Sequence, residues 1–289
     1  MENNVLEQIE ARLPSLSKSQ KKIGEFIITH YDKAVFMTAL KLGHQVGVSE
    51  STVVRFANVM GYEGFPELQE ALGDVVKTRL TSVQRHEIAV DKMENKDILA
   101  KVISADISKL KNTLEQIDRV DFDNAVEAIL KAKNIYVMGV RSASALASFL
   151  GFYLNLIFDN VKLVHTNSMS EMFEQILRVN EKDVVIGITF PRYSRRTVQS
   201  MQYAKKRGAN VIGITDTPKS PVVESCTTAL FAKSDMVSFV DSLVAPMSVI
   251  NALIVALGLR KQDEVKDTLG QLEDIWEEYN VYNKVKPHE

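Results

Sequence analysis

The chain has 289 residues, 45% hydrophobic and 25% charged, with a formal net charge of −2. That length allows two domains with their own cores, and the composition reads as globular rather than disordered or membrane-embedded. The near-neutral charge gives no global pull on nucleic acid. The one cysteine, Cys226, excludes an intrachain disulfide or a cysteine metal cluster and suits a reducing compartment.

The five histidines, at 30, 44, 86, 165 and 288, lack metal-ligand spacing, so no metal and no cofactor is expected. No charged-then-apolar leader opens the chain. The apolar stretches 145–158 and 243–259 fall short of the roughly 20 residues of a membrane span. A cytoplasmic protein without a membrane partner is expected.

In chain order, Val5, Ile9 and Leu13 mark a short amphipathic turn. Ser17 then caps a helix with Ile23, Phe26 and Ile27 inward and Lys18, Lys21 and Lys22 outward. The stretch from Met37 to Tyr62 reads as two helices around a tight corner. Thr38 caps the first, whose Leu42 and Val46 are four apart; Gly47 supplies a left-handed turn residue, and Ser49 opens the second.

On that second helix Val53, Phe56 and Met60 share one face, which leaves Ser49, Ser51, Thr52, Arg55 and Asn58 outward. These, with Lys41 from the first helix, are the candidate DNA contacts: hydroxyls near a helix N-terminus suit phosphates, and Arg55 reaches a base edge or a phosphate. Between Leu16 and Tyr62 six basic residues face three acidic ones, so charge gathers where it would be used. The same spacing also fits a plain helical hairpin. What separates the two is SESTVVRFANVMGYEGFPELQ, which resembles the recognition helix of the RpiR family of bacterial transcription regulators. Gly43 departs from the usual alanine at the helix crossing and weakens the first helix.

A helix beginning at Phe65-Pro66 runs to about Arg79, and 80–94 reads as a polar linker. Leu99, Ile103, Ile107, Leu110, Leu114 and Ile117 then form a continuous apolar edge, which fits packing within a domain or a subunit interface. The expected division is a helix-turn-helix domain over 1–79, a helical linker over 80–120 and an α/β domain over 121–289.

Five β-branched runs follow, at 134–139, 161–165, 183–188, 210–215 and 228–232, separated by helical segments. This rhythm predicts a three-layer fold with a five-stranded parallel sheet covered on both faces. If the strand order is 2-1-3-4-5, the loops after the first and third strands flank the crevice where the order reverses.

Those loops carry Arg141, Ser142 and Ser144, and Thr189, Arg192, Tyr193, Ser194 and Thr197. Hydroxyls and guanidinium groups leading into helices suit an anion. No acid–base pair for catalysis is evident: Ser168 and Glu171 have capping-box spacing, and His165 ends a strand.

From about Asn124 to Arg260 the chain resembles the sugar isomerase (SIS) domain that follows the reading head in RpiR-family regulators, including the segment RGANVIGITDTPKSPV. In the family's Gly-x-Gly-x-Ser first loop, Arg141 replaces the second glycine and Ala143 the serine. The segment Phe190-Pro191-Arg192-Tyr193-Ser194 replaces its Ser-x-Ser-Gly-x-Thr loop.

The resemblance implies a regulator with a double-stranded DNA operator and a small anionic effector, a phosphosugar or related sugar acid. The alternative is a sugar-phosphate isomerase with a helical appendage. A last amphipathic helix over 262–279, with Trp276 on its apolar face, is expected to dock on its own domain or a second subunit, in a homodimer or homotetramer.

Overall fold

The computed structural model describes residues 4–79, 97–166, 168–234 and 240–282, with 81, 83, 84, 86, 87 and 90 between the first two spans. They fall into two compact units, one of N-terminal helices and one beginning at Asp97.

The first unit is all helical: α1 (Val5–Arg12), α2 (Lys18–Thr29), a short α3 (Tyr31–Ala34), α4 (Ala39–Val46), α5 (Glu50–Val59) and α6 (Phe65–Arg79). Asn4, Ser17, Thr38 and Ser49 each cap a helix by accepting backbone N–H bonds, and Ser17 with Gln20 forms a full capping box. Ile9, Ile23, Ile27, Leu42, Val53, Phe56, Leu68 and Leu72 are fully buried, so every long helix contributes to one core.

The α4–α5 corner is closed by Gly47 at φ 71° and by the Val48 N–H donating to the Gly43 carbonyl at 2.9 Å. Gly43 does more than tolerate the crossing. A Cβ there would fall 2.8 Å from the Val48 carbonyl oxygen. Alanine gains about 1 kcal/mol in helix propensity, yet overpacking against fixed backbone costs about 1–3 kcal/mol. The packing loss wins. Gly43→Ala is expected to lower the stability of this unit by about 1 kcal/mol in urea titrations; an increase would show that the corner relaxes freely.

The second unit contains α7 (Ile98–Gln116), α8 (Arg119–Lys131), β1 (Ile135–Gly139), α9 (Ser142–Leu154), β2 (Val161–Val164), α10 (Met169–Ile176), β3 (Val184–Ile188), α11 (Arg195–Lys206), β4 (Asn210–Thr215), β5 (Thr228–Phe231), α12 (Val244–Arg260) and α13 (Gln262–Glu278). All strand pairs are parallel, in the order β2-β1-β3-β4-β5.

Alternate residues divide between two apolar layers. Ile135 and Val137 join a cluster that includes residues of α8, α9 and α12, whereas Tyr136 and Met138 join one that includes residues of α10 and α11. Strands β1 and β3 are buried throughout, as two-sided strands should be. β2 is not: it is an edge strand, and Lys162 and Leu163 are exposed.

Helix α7 packs against α12, but its burial runs against its pattern. Leu99, Ile103, Ile107 and Leu114 stay exposed while Lys109 and Thr113 are buried. The cause lies far along the chain. Lys233 N–H donates to Thr113 Oγ1, and Asp106 accepts from both Lys109 Nζ and Ser242 Oγ. No residue of α13 is buried. Among the described residues no single helix is long and apolar enough to cross a membrane; α12 and α13 meet that test only jointly, across a bend of 98°.

Candidate nucleic-acid interface and effector crevice

Helix α5 presents its outer face as its spacing predicted. Ser49, Ser51, Arg55 and Asn58 are exposed, Thr52 is half-buried, and Lys41 on α4 is exposed. Ser49 Oγ accepts the Thr52 N–H and lies 3.0 Å from Ser51 Oγ and 2.8 Å from Thr52 Oγ1, so it both caps and ties the hydroxyls together. Arg55 Nε donates to the Ser51 carbonyl at 3.2 Å, which holds the guanidinium along the helix with donors to spare. The result is an open helix N-terminus with hydroxyls and one arginine, a surface able to take phosphate oxygens and base edges.

In the second unit β1 pairs with both β2 and β3, so the strand order reverses between β1 and β3. Gly139 and Ile188 are register partners, and the loops that follow leave the sheet side by side. In the first loop Arg141 and Ser142 are exposed, and Ser144 Oγ donates back to the Arg141 carbonyl. Helix α9 has no side-chain cap at its N-terminus, which leaves backbone donors at the loop.

The second loop is braced internally. Thr189 is buried and its Oγ1 accepts the Ser194 N–H, and Ser194 Oγ accepts the Thr197 N–H as the cap of α11. Tyr193 OH donates to Asp216 Oδ1 at 2.9 Å. Thr197 is fully buried in the first turn of α11, and Arg192 is exposed. Of the eight predicted positions, then, Arg141, Ser142 and Arg192 face solvent, Ser144, Tyr193 and Ser194 are partly covered, and Thr189 and Thr197 point inward.

Two features lay beyond what spacing could show. Arg141 has φ 59° and ψ −128°, and Arg192 has φ 60°, both in the left-handed half of the map that favours glycine. Each site loop therefore carries an arginine on strained backbone. The second is Asp216 at the end of β4, which takes hydrogen bonds from Tyr193 and Thr215. Its Thr-Asp step was visible, but the hydrogen bond that ties it to the loop 23 residues earlier was not.

Among positions predicted structural, Ser168 does cap α10, but the reciprocal half of the capping box is absent, since Glu171 accepts from Thr166 instead. Burial pushes the Cys226 thiol up to about 12, which makes it an inert core group.

A helical unit with an open recognition-helix face, joined to a three-layer α/β unit with an anion-suited crevice at its strand-order reversal, defines a transcription regulator with an effector domain. Comparison with known proteins agrees. The family profile of the helix-turn-helix domain, rpiR family, matches residues 3–78, and that of the SIS domain matches 128–256. The chain is 26% identical over 280 residues to the HTH-type transcriptional regulator HexR of Escherichia coli, covering 95% of each chain. To HexR of Pseudomonas aeruginosa it is 25% identical, covering 94% of this chain and 95% of that one.

Among solved structures, the sugar isomerase domain of an RpiR transcription factor from Sphaerobacter thermophilus aligns with 62% of this chain and 99% of its own, at TM-score 0.59 and 26% identity. Vibrio vulnificus NanR complexed with ManNAc-6P shares the fold over 94% of this chain and 98% of its own, at TM-score 0.59 and 20% identity. The chain belongs to the RpiR family of helix-turn-helix transcriptional regulators that carry a SIS domain.

If the strain at Arg141 is held for a purpose other than stability, removing it should stabilise the fold. Arg141→Gly is expected to raise the unfolding free energy by roughly 1 kcal/mol, strain relief of about 1–3 exceeding the entropy cost of glycine at about 0.5–1. A loss of stability in chemical denaturation would mean that Arg141 makes contacts worth more than its strain.

Proposed function

We propose that the chain is a cytoplasmic regulator that reads operator DNA as a homodimer and is switched by a small anionic metabolite, a phosphosugar or related sugar acid, bound in the crevice between the β1 and β3 loops. The observation that carries this is the pair of arginines, Arg141 and Arg192, each on strained backbone in one of the two loops flanking the strand-order reversal. Arginine on a fixed loop offers a planar fork for phosphate or carboxylate, and the uncapped N-terminus of α9 adds backbone donors. Ser142 and Ser144 serve as further hydroxyls, while Thr189, Tyr193, Ser194 and Thr197 shape the second loop around the ligand. The fold shared with NanR, which was solved with a sugar phosphate, is in keeping with this class of ligand.

The action is binding rather than turnover. The relatives matched along the chain are named as regulators, and Asp216, the carboxylate at the end of β4, is tied to Tyr193 and Thr215 rather than left for proton transfer. Recognition by α5 uses Arg55 at base edges and Ser51, Thr52, Ser49, Asn58 and Lys41 along the phosphates. Two copies related by a two-fold axis present two such helices to half-sites about 34 Å apart, so the operator is an approximate palindrome.

Arg55→Ala is expected to weaken binding to an operator selected from random duplexes by about 5–150-fold, the value of one good base contact at about 1–3 kcal/mol, with the fold unchanged. Fluorescence anisotropy checks it; an unchanged affinity removes Arg55 as a reader. For the crevice, a thermal-shift panel of phosphorylated sugars and sugar acids should contain a stabilising compound for the wild-type chain. Arg141→Ala with Arg192→Ala should abolish that shift while operator affinity without ligand stays the same. A shift that survives both substitutions places the ligand elsewhere.

A further inference from the structure

Each copy of this chain carries both halves of an interface that it covers only in part within itself: Val265 at the start of α13 packs against its own core, and the stripe beyond it is left half-covered. Between α7 and α12 lies a groove of about 780 Å³, lined by Leu110, Leu114, Ile117, Val255 and Leu259. Three of these are largely open, Leu114 at 63%, Val255 at 59% and Leu259 at 70% exposure. Thr113, Ser248 and Asn251 also line it, and the two charged residues on its lining, Lys111 and Arg119, are both cationic.

Helix α13 is the complementary object. Its Val265, Leu269, Leu272 and Trp276 recur at helical spacing on one face, and not one residue of its 17 is buried. Between Gln262 and Glu278 it has seven acidic residues and one lysine, Lys266. A helix of that length, about 25 Å, is not held in water by its intrinsic propensity alone and needs a surface to cover its stripe.

We propose that α13 of one copy docks into the α7–α12 groove of a second copy, and the second copy's α13 into the groove of the first. Apolar stripe meets apolar groove, and the acidic flanks meet Lys111 and Arg119, so shape and charge both match. The exchange is reciprocal, which a two-fold axis satisfies with one kind of contact made twice. The same contact covers Leu114, which α7 keeps outward while Lys109 and Thr113 are buried against its own chain.

A second copy is favoured over a foreign protein because groove and helix are present in equal number in every molecule. This names the surface behind the dimeric reading above and rests on that reading.

The test uses the full chain at tens of micromolar in light scattering. Wild type is expected at the mass of two chains. Leu272→Glu with Trp276→Glu alters side chains that are half-buried and belong to no core cluster, so the fold should hold by circular dichroism, and the mass is expected to fall to one chain. Ala252→Trp, which fills the groove, should do the same. Retention of the two-chain mass by both variants overturns the assignment of the groove and leaves dimerisation itself standing, whereas a wild type of one-chain mass overturns the dimeric reading as well.

Orientation is tested by co-expressing a Leu114→Cys chain with a Leu272→Cys chain and adding a short bis-maleimide; Cys226 is buried and does not compete. Cross-links between the two different chains are expected. Their absence overturns the exchange.

Discussion

The pairing of β1 with β3 is the constraint on which the effector unit depends. Because β2 lies on one side of β1 and β3 on the other, the chain leaves β1 and β3 toward opposite faces of the sheet. Helix α9 contributes to one apolar layer and α11 to the other. Two strand ends whose continuations diverge leave a gap that nothing in the backbone fills, and in an open parallel sheet that gap is where ligands bind.

Two glycines let the helices close against the sheet on either side. At Gly139 a Cβ would fall 2.5 Å from the Ala143 carbonyl oxygen, and at Gly187 it would collide with the Met201 side chain. The crevice is thus a consequence of strand order and close packing, and the arginines are placed on it afterwards.

The parts of this arrangement that depend on local pattern are legible in the sequence. Five apolar runs separated by helical segments imply a covered parallel sheet, and Thr38, Gly47 and Ser49 mark the corner of the reading head by chemistry that acts over three or four residues. The parts that depend on distant chain are not. Lys109 reads as an outward residue of an amphipathic helix, yet it is buried, and Ser242, more than a hundred residues on, shares Asp106 with it.

Arg192 is legible as a cation but not as a strained one, whereas Arg141 stands where the resembling loop has glycine, the one hint that its backbone would take a positive φ. Gly43 read as a weakness in α4, and only the distance to the Val48 carbonyl shows it to be a requirement. Glu171 has the spacing of a capping box and a different partner, since Thr166 competes for the same carboxylate.

The two units carry separate cores. Control of one by a ligand on the other requires a difference in free energy between two states. A ligand with equal affinity for both arrangements shifts nothing, however tightly it binds. On the proposed reading, Arg141 and Arg192 on strained backbone supply such a difference, because anion binding and loop relaxation compete for the same few kcal/mol.

Reciprocity gives the most direct measurement. The affinity of the selected operator is measured with and without the stabilising anion, and the affinity of that anion with and without operator. The account predicts that both change by one common factor, in the range of about 5–150 that coupling free energies of 1–3 kcal/mol produce. An anion that binds the crevice with the same affinity whether or not operator is present would contradict it.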